Sequence, residues 1–169
     1  DISRSLDVNK IMDKTCDILR ESLGVGRVSI FRLDHDEGKY VMDYASNPLD
    51  KRNISIEADA PYIEYIAKGD VCLRLSDFKR SVAYRSMWTQ EKEMLEELGV
   101  ECITALRNND ELVGIILIGK KNNGAPYSYD DILFIESVQS VASIALNNAI
   151  LYGEAQRRAD MDPQLDMLN

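Results

Sequence analysis

Three cysteines, one histidine and a short run of arginines are the residues best equipped for chemistry. Cys16, Cys72 and Cys102 are odd in number and far apart, with no C-x-x-C pair, and His35 is the only histidine. Zinc sites gather four nitrogen or sulfur ligands at close spacing, and disulfide frameworks use even sets. No metal, cofactor or disulfide is therefore expected, and a reducing cytoplasm is the expected setting. Thiol redox chemistry needs a thiolate that is accessible and near a resolving partner. Cys16 falls on the apolar face of a helical stretch and Cys102 among buried strand positions, which leaves Cys72 as the accessible one. Buried cysteine acting as a small hydrophobe is the better reading. Arg74, Lys79, Arg80 and Arg85 make one stretch locally basic. Guanidinium groups grip carboxylate or phosphate at two points, so these residues are either an anion clamp or a solvated loop.

The balance of the whole chain limits its partners. Net charge is −9 over 169 residues, which repels phosphate backbones and argues against nucleic acid. That length fits one domain with extensions. The longest apolar stretches are short, such as Ile115 to Ile118, far below the roughly 20 residues of a membrane span. No signal sequence opens the chain, and no direct membrane contact is expected.

The elements that must position these residues follow from periodicity. From Leu6 to Leu23, Val8, Ile11, Met12, Cys16 and Leu19 recur at helical spacing, with Asp7 as a cap and Gly24 as the stop. Arg27 to Leu33 and Lys39 to Ser46 alternate as two strands around the turn Asp34 to Gly38, and Asn47-Pro48 breaks the second. A short strand at Ile54 to Glu57 precedes a helix capped by Asp59, with Pro61 early and Gly69 late. Val71 to Leu75 is extended, Asp77 to Thr89 is a loop or irregular helix, and Gln90 to Leu98 is a helix stopped by Gly99. Val100 to Leu106 and Leu112 to Gly119 form a hairpin around Asn108-Asn-Asp110. Ser128-x-x-Asp131 opens a long amphipathic helix that runs past Glu154 toward Ala159. The expected fold is α+β. An antiparallel sheet carries the first and last helices on one face, and a helical and loop insertion covers a pocket on the other.

These pieces, in this order, resemble a GAF domain from roughly Leu6 to Tyr152. The resemblance rests on Gly26-Arg-Val-Ser-Ile-Phe-Arg-Leu-Asp34 and Leu112-Val-Gly-Ile-Ile-Leu-Ile-Gly119. It rests also on the helix entry Tyr127-Ser-Tyr-Asp-Asp131 and on Ala145-Leu-Asn-Asn-Ala-Ile-Leu-Tyr152. Such domains are sensory modules that bind a ligand or only dimerise, and pass a signal down the last helix. After it, Asp162, Pro163, Met167 and Asn169 resemble the D-x-L-T-G-L-x-N entry to a GGDEF, or diguanylate cyclase, domain, although Gln164, Leu165 and Asp166 depart from it. The alternative is a polar tail. The resemblance thus implies a sensory domain at residues 1–152 and, at 153–169, a signalling-helix extension and the start of a linker to an output domain in cyclic di-GMP signalling.

Strand parity turns Ser29, Phe31, Leu33, Ile115 and Leu117 toward the implied pocket, and Val28 and Ile30 toward the helices. Tyr62, Tyr65, Tyr84, Met87 and Trp88 supply a lid. The expected ligand-binding set is Ser29, Phe31, Tyr62, Tyr84, Arg85, Trp88, Ile115 and Leu117, with no catalytic residue. The competing reading is that these side chains only fill a core, in a domain that serves dimerisation. For cyclic nucleotides the family pattern is N-K-x(n)-F-x-x-x-D-E. Lys120, Tyr127 and Asp131 match it, whereas Gly119 and Ile132 stand where asparagine and glutamate belong. Bilin attachment needs a cysteine followed by histidine, but Leu73 follows Cys72, and His35 sits in a turn, so neither bilin nor haem is expected. One branch of the family reduces free methionine sulfoxide with pocket cysteines, which is a further alternative. The stripe Ile135, Val138, Ala142, Ala145, Ala149 and Tyr152, continued by Gln156 and Ala159, is broader than one partner needs. It implies a homodimer through the terminal helices.

Overall fold

A computed structural model describes residues 2–47, 54–69 and 72–161, with residues 2–6 as helix only. In chain order the elements are α1 (Ile2–Leu23), β1 (Val28–Asp34), β2 (Lys39–Ala45), β3 (Ser55–Glu57), α2 (Pro61–Lys68) and β4 (Cys72–Arg74). There follow α3 (Leu75–Phe78), α4 (Val82–Arg85), α5 (Thr89–Glu97), β5 (Val100–Asn108), β6 (Glu111–Gly119) and α6 (Tyr129–Asp160). The six strands form one sheet in the order β3-β2-β1-β6-β5-β4, each neighbouring pair antiparallel.

Side-chain alternation divides the core in two. Val28, Ile30, Cys102, Leu106, Ile116 and Ile118 pack under α1 and α6 against Met12, Cys16, Leu19, Ile135 and Leu146. Phe31, Ile103, Ala105, Ile115 and Leu117 face the other way, against Tyr62, Ile63, Ile66, Phe78, Met87 and Leu95 of the insertion. The expected α+β arrangement is what forms, and β6 is buried on both faces because both faces are covered. Gly114 lets β1 lie this close to β6. A Cβ there would meet the Phe31 carbonyl oxygen at 2.9 Å.

Several local expectations change. α1 begins at Ile2, so Asp7 lies inside the helix rather than capping it. α2 is entered at Ala60, not Asp59, and without a side-chain cap. A residue before proline is held out of the helical region, so the boundary is set by Pro61. The stretch after β4 is two single-turn helices, α3 and α4. Ser81 lies between them, its hydroxyl accepting from the Tyr84 N–H at 3.1 Å. Asn109 takes φ 56° in the β5–β6 turn. Both arms of the α6 capping box form: Ser128 Oγ accepts from the Asp131 N–H at 3.1 Å, and Asp131 Oδ2 from the Ser128 N–H at 2.8 Å. Pro48, Val71 and the Asp162 to Asn169 segment lie outside the described residues.

The face of α6 that meets the domain differs from the expected stripe. Ile135, Gln139, Ala142, Ser143, Leu146 and Gly153 are its buried residues, while Tyr152 is exposed. Polar side chains sit on the buried face because they serve the edge of β5. The Arg107 N–H donates to Ser143 Oγ at 3.1 Å, Asn147 Nδ2 donates to the Arg107 carbonyl at 3.2 Å, and Gln139 Nε2 donates to Ser143 Oγ at 2.9 Å. Among the described residues no helix is long and apolar enough to cross a membrane.

Candidate functional site

Strand register builds the floor between sheet and insertion. Ser29 lies opposite Leu117 and Phe31 opposite Ile115 on the β1–β6 pair, so all four share one face. Phe31 and Ile115 are fully buried, Leu117 and Ser29 nearly so. α2 lays Tyr62, also fully buried, into the same cluster. Its hydroxyl has no hydrogen-bond partner among the described residues. Burial, and after it the Glu91 carboxylate, push the Tyr62 pKa up, so the phenol keeps its proton and remains a donor. Glu91 Oε2 is likewise unpartnered, although its Oε1 accepts from the Trp88 N–H at 3.3 Å. An unpaired buried polar group costs about 1–3 kcal/mol, so these two atoms are the chemically unsatisfied part of an otherwise apolar interface.

The remaining expected residues lie further out. Tyr84 is half-buried, its ring 6.0 Å from that of Phe78 and 4.7 Å from Lys92 Nζ. Arg85 is exposed, and Trp88 is 76% exposed at the start of α5. The structure thus gathers Ser29, Phe31, Tyr62, Ile115 and Leu117, keeps Tyr84 at their margin, and leaves Arg85 and Trp88 on the surface. The arginines do not converge as a clamp. Arg74 and Arg80 both bind Asp77, at 2.9 and 2.7 Å, and Arg74 Nη1 donates to the Tyr127 carbonyl at 2.9 Å. These bonds, from Arg74 first, hold the Asp77 carboxyl below its ordinary pKa.

Two positions that match the cyclic-nucleotide pattern are already occupied in holding α6. The Tyr127 hydroxyl donates to the Gly119 carbonyl at 2.5 Å, and Asp131 pairs with Lys121 at 2.6 Å. The lysine in use is Lys121, half-buried, rather than the exposed Lys120 of the sequence match. The three thiols differ in their surroundings. Cys16 is buried, and that burial, helped by Asp13 and Asp17, pushes its pKa up to about 12. Cys102 is raised by a hydrogen bond with the Cys72 thiol and by burial, and Cys72 is half-buried beside an open cavity of about 600 Å³ that it shares with Lys68, Arg74 and Tyr129.

Arg107 was not expected to matter, yet it touches both layers. Its backbone is held by Ser143 and Asn147 of α6, while its Nη2 donates to the Ile66 carbonyl of α2 at 3.0 Å. The β5–β6 register shifts between Leu106 and Arg107, the kind of irregularity that re-aims a side chain. The only sequence signal is a charge at the end of an apolar strand.

A family model described as "GAF domain" matches residues 7–146. Among solved structures, the GAF domain/HD domain protein from Geobacter sulfurreducens superposes with a TM-score of 0.68 at 14% identity, covering 86% of this chain and 95% of that one. The blue-light absorbing form of the Thermosynechococcus elongatus PixJ GAF domain gives 0.67 at 18% identity and covers 95% of each chain. The GAF domain of a two-component sensor histidine kinase from Bacillus halodurans gives 0.60 at 19% identity, covering 86% of this chain and 97% of that one. At these identities the likeness is one of fold.

Proposed function

From the premise that the chain belongs to the GAF domain family, a family of sensory domains in signalling proteins, we propose that it is a non-catalytic relay. It takes a small molecule between insertion and sheet and reports it through α6. The ligand-contacting set is Ser29, Phe31, Tyr62, Tyr84, Arg85, Trp88, Ile115 and Leu117, with the Tyr62 hydroxyl as the polar anchor. Mostly apolar walls with few polar groups suit a small-molecule site. Output runs through the terminal helices, which pair two copies. From residue 153 onward the chain is the start of a connection to an output domain of GGDEF type, in cyclic di-GMP signalling in the cytoplasm.

The observation that carries this reading is Arg107. Its guanidinium bonds to the Ile66 carbonyl of α2 and its backbone to Ser143 and Asn147 of α6. A ligand that re-seats α2 therefore acts on α6 through one residue. It can shift the balance only by binding one arrangement better than the other.

The test is a thermal-shift screen of the purified chain against cyclic nucleotides, amino acids and carboxylic acids. A ligand at a hundred times its Kd adds about 2.7 kcal/mol. The expected result is a raised Tm that Tyr62→Phe diminishes. Silence across the library would favour the second reading, a GAF domain that only dimerises. That reading draws on how densely Phe31, Tyr62, Ile115 and Leu117 are packed.

A further inference from the structure

α6 has two apolar faces, and among the described residues only one packs against its own domain. Ile135, Ala142 and Leu146 are buried against α1 and the sheet. Val141 is 68% exposed, Ile144 61% and Leu151 60%. Ser137, Asn148 and Ala155 are exposed as well. These six positions fall at 137, 141, 144, 148, 151 and 155, in alternating steps of four and three. That repeat of 3.5 residues is the seam of a coiled coil, in which the two seam positions of each heptad are called a and d. The order of steps puts Val141, Asn148 and Ala155 at a, and Ser137, Ile144 and Leu151 at d.

We propose that this face is where a second copy of the chain docks, with the two α6 helices parallel and in register and Asn148 of one copy paired with Asn148 of the other. The inference rests on the reading that the terminal helices pair two copies, and adds the direction, the register and the residues.

Charge selects the surface. Two chains of net charge −9 repel each other in general. Yet α6 carries no charged residue from Ser137 to Gly153, between Glu136 and Glu154. The positions flanking the seam in that stretch, Val138, Ser140, Ala145, Asn147 and Tyr152, are neutral too. Here two acidic copies meet without like charges face to face.

Asn148 selects the partner. Its side-chain amide is both donor and acceptor, so against an apolar residue both groups go unpaired, and against another amide both are satisfied. A residue on a two-fold seam meets its own counterpart along its length only when the helices run parallel and in register. A pair slipped by one heptad would set Asn148 against Val141 or Ala155, and an antiparallel pair centred on the apolar seam would set it against Ile144 or Leu151. Toward the start of α6 the seam borders a groove of about 400 Å³ between the two terminal helices, lined by Ile11, Ile18, Val138, Val141 and Ala145 among others. That groove receives partner side chains from the Ser137–Ile144 end.

The test is cysteine cross-linking in the whole chain on a Cys72→Ser background, since Cys16 and Cys102 are buried. Under mild oxidation with diamide, Ile144→Cys and Leu151→Cys should each form a disulfide-linked dimer, and Gln156→Cys, off the seam, should not. A pair of Ile144→Asp and Leu151→Asp in one chain should give a folded monomer by ultracentrifugation and circular dichroism. Asn148→Leu should associate at least as tightly as the parent but as mixed species. Failure of the two seam cysteines to self-link, or a dimer that survives both aspartates, overturns the proposal. So does a parent chain that stays monomeric at all concentrations. None of these results bears on ligand binding, which the melting screen reads separately.

Discussion

Arg107 shows what a single side chain contributes when two layers depend on it. Replacing it with methionine keeps the bulk of the stem and removes the donors to Ile66. Hydrogen bonds from charged groups contribute about 1.5–3 kcal/mol, and a loss of that order in a urea titration is the expected outcome. The sharper measurement is hydrogen exchange. Amides at the end of α2 should speed up in Arg107→Met, and those of α6 around Ser143 should change with them if the residue couples the two. Unchanged α6 exchange would reduce Arg107 to a local brace. At this scale the sequence was only partly legible. The parity that sorted Val28 and Ile30 from Phe31 needed nothing but alternation, and it held. That Asp131 pairs with Lys121 while the neighbouring Lys120 is exposed depends on which way each side chain leaves the end of β6, which spacing does not encode.

Among the elements, α6 had the most readable start and the least readable faces. Ser128 and Asp131 declare the capping box because each supplies what the other's backbone lacks. The same carboxylate carries a pH dependence. Burial alone would raise the Asp131 pKa, but the hydrogen bonds from Lys121 and Ser128 outweigh it and hold it below the ordinary 3.8. A lowered folded-state pKa stabilises the fold fully above the unfolded value and loses that contribution as pH falls through the folded one. The end of α6 that bears Ser128 should therefore stay intact down to about pH 4 and fray below it. In the parent the Asp131 carboxyl resonance should titrate below its ordinary value, and Asp131→Asn should be less stable at neutral pH and lose the acid step in thermal melts taken across pH. The faces of α6 escaped hydropathy because Gln139 and Ser143 are buried for their hydrogen bonds. That displaces the true stripe by a residue from the expected one and leaves Val141, Ile144 and Leu151 outside.

For the molecule as a whole, order and spacing of elements gave the architecture. A strand apolar on both faces requires two covering layers, and a helix at each end of the chain supplies one of them. What order could not say is how much room the layers leave. Packing density is decided by rotamers and by one-turn helices such as α3 and α4, whose sequence has no clean period. Hence Arg85 and Trp88, one and four residues beyond the half-buried Tyr84, end on the surface.

The hydrogen bonds between Arg107 and α6 also decide where the chain can be cut. The match to the family model ends at residue 146, one position before Asn147, whose side-chain amide donates to the Arg107 carbonyl. A fragment stopped there would keep every strand, yet free a carbonyl at the rim of β5, a place where stray polypeptide can add itself. Light scattering should show residues 1–146 clumping on standing while residues 1–161 stay clear. Where the match to the family model stops, the physical unit has further to run.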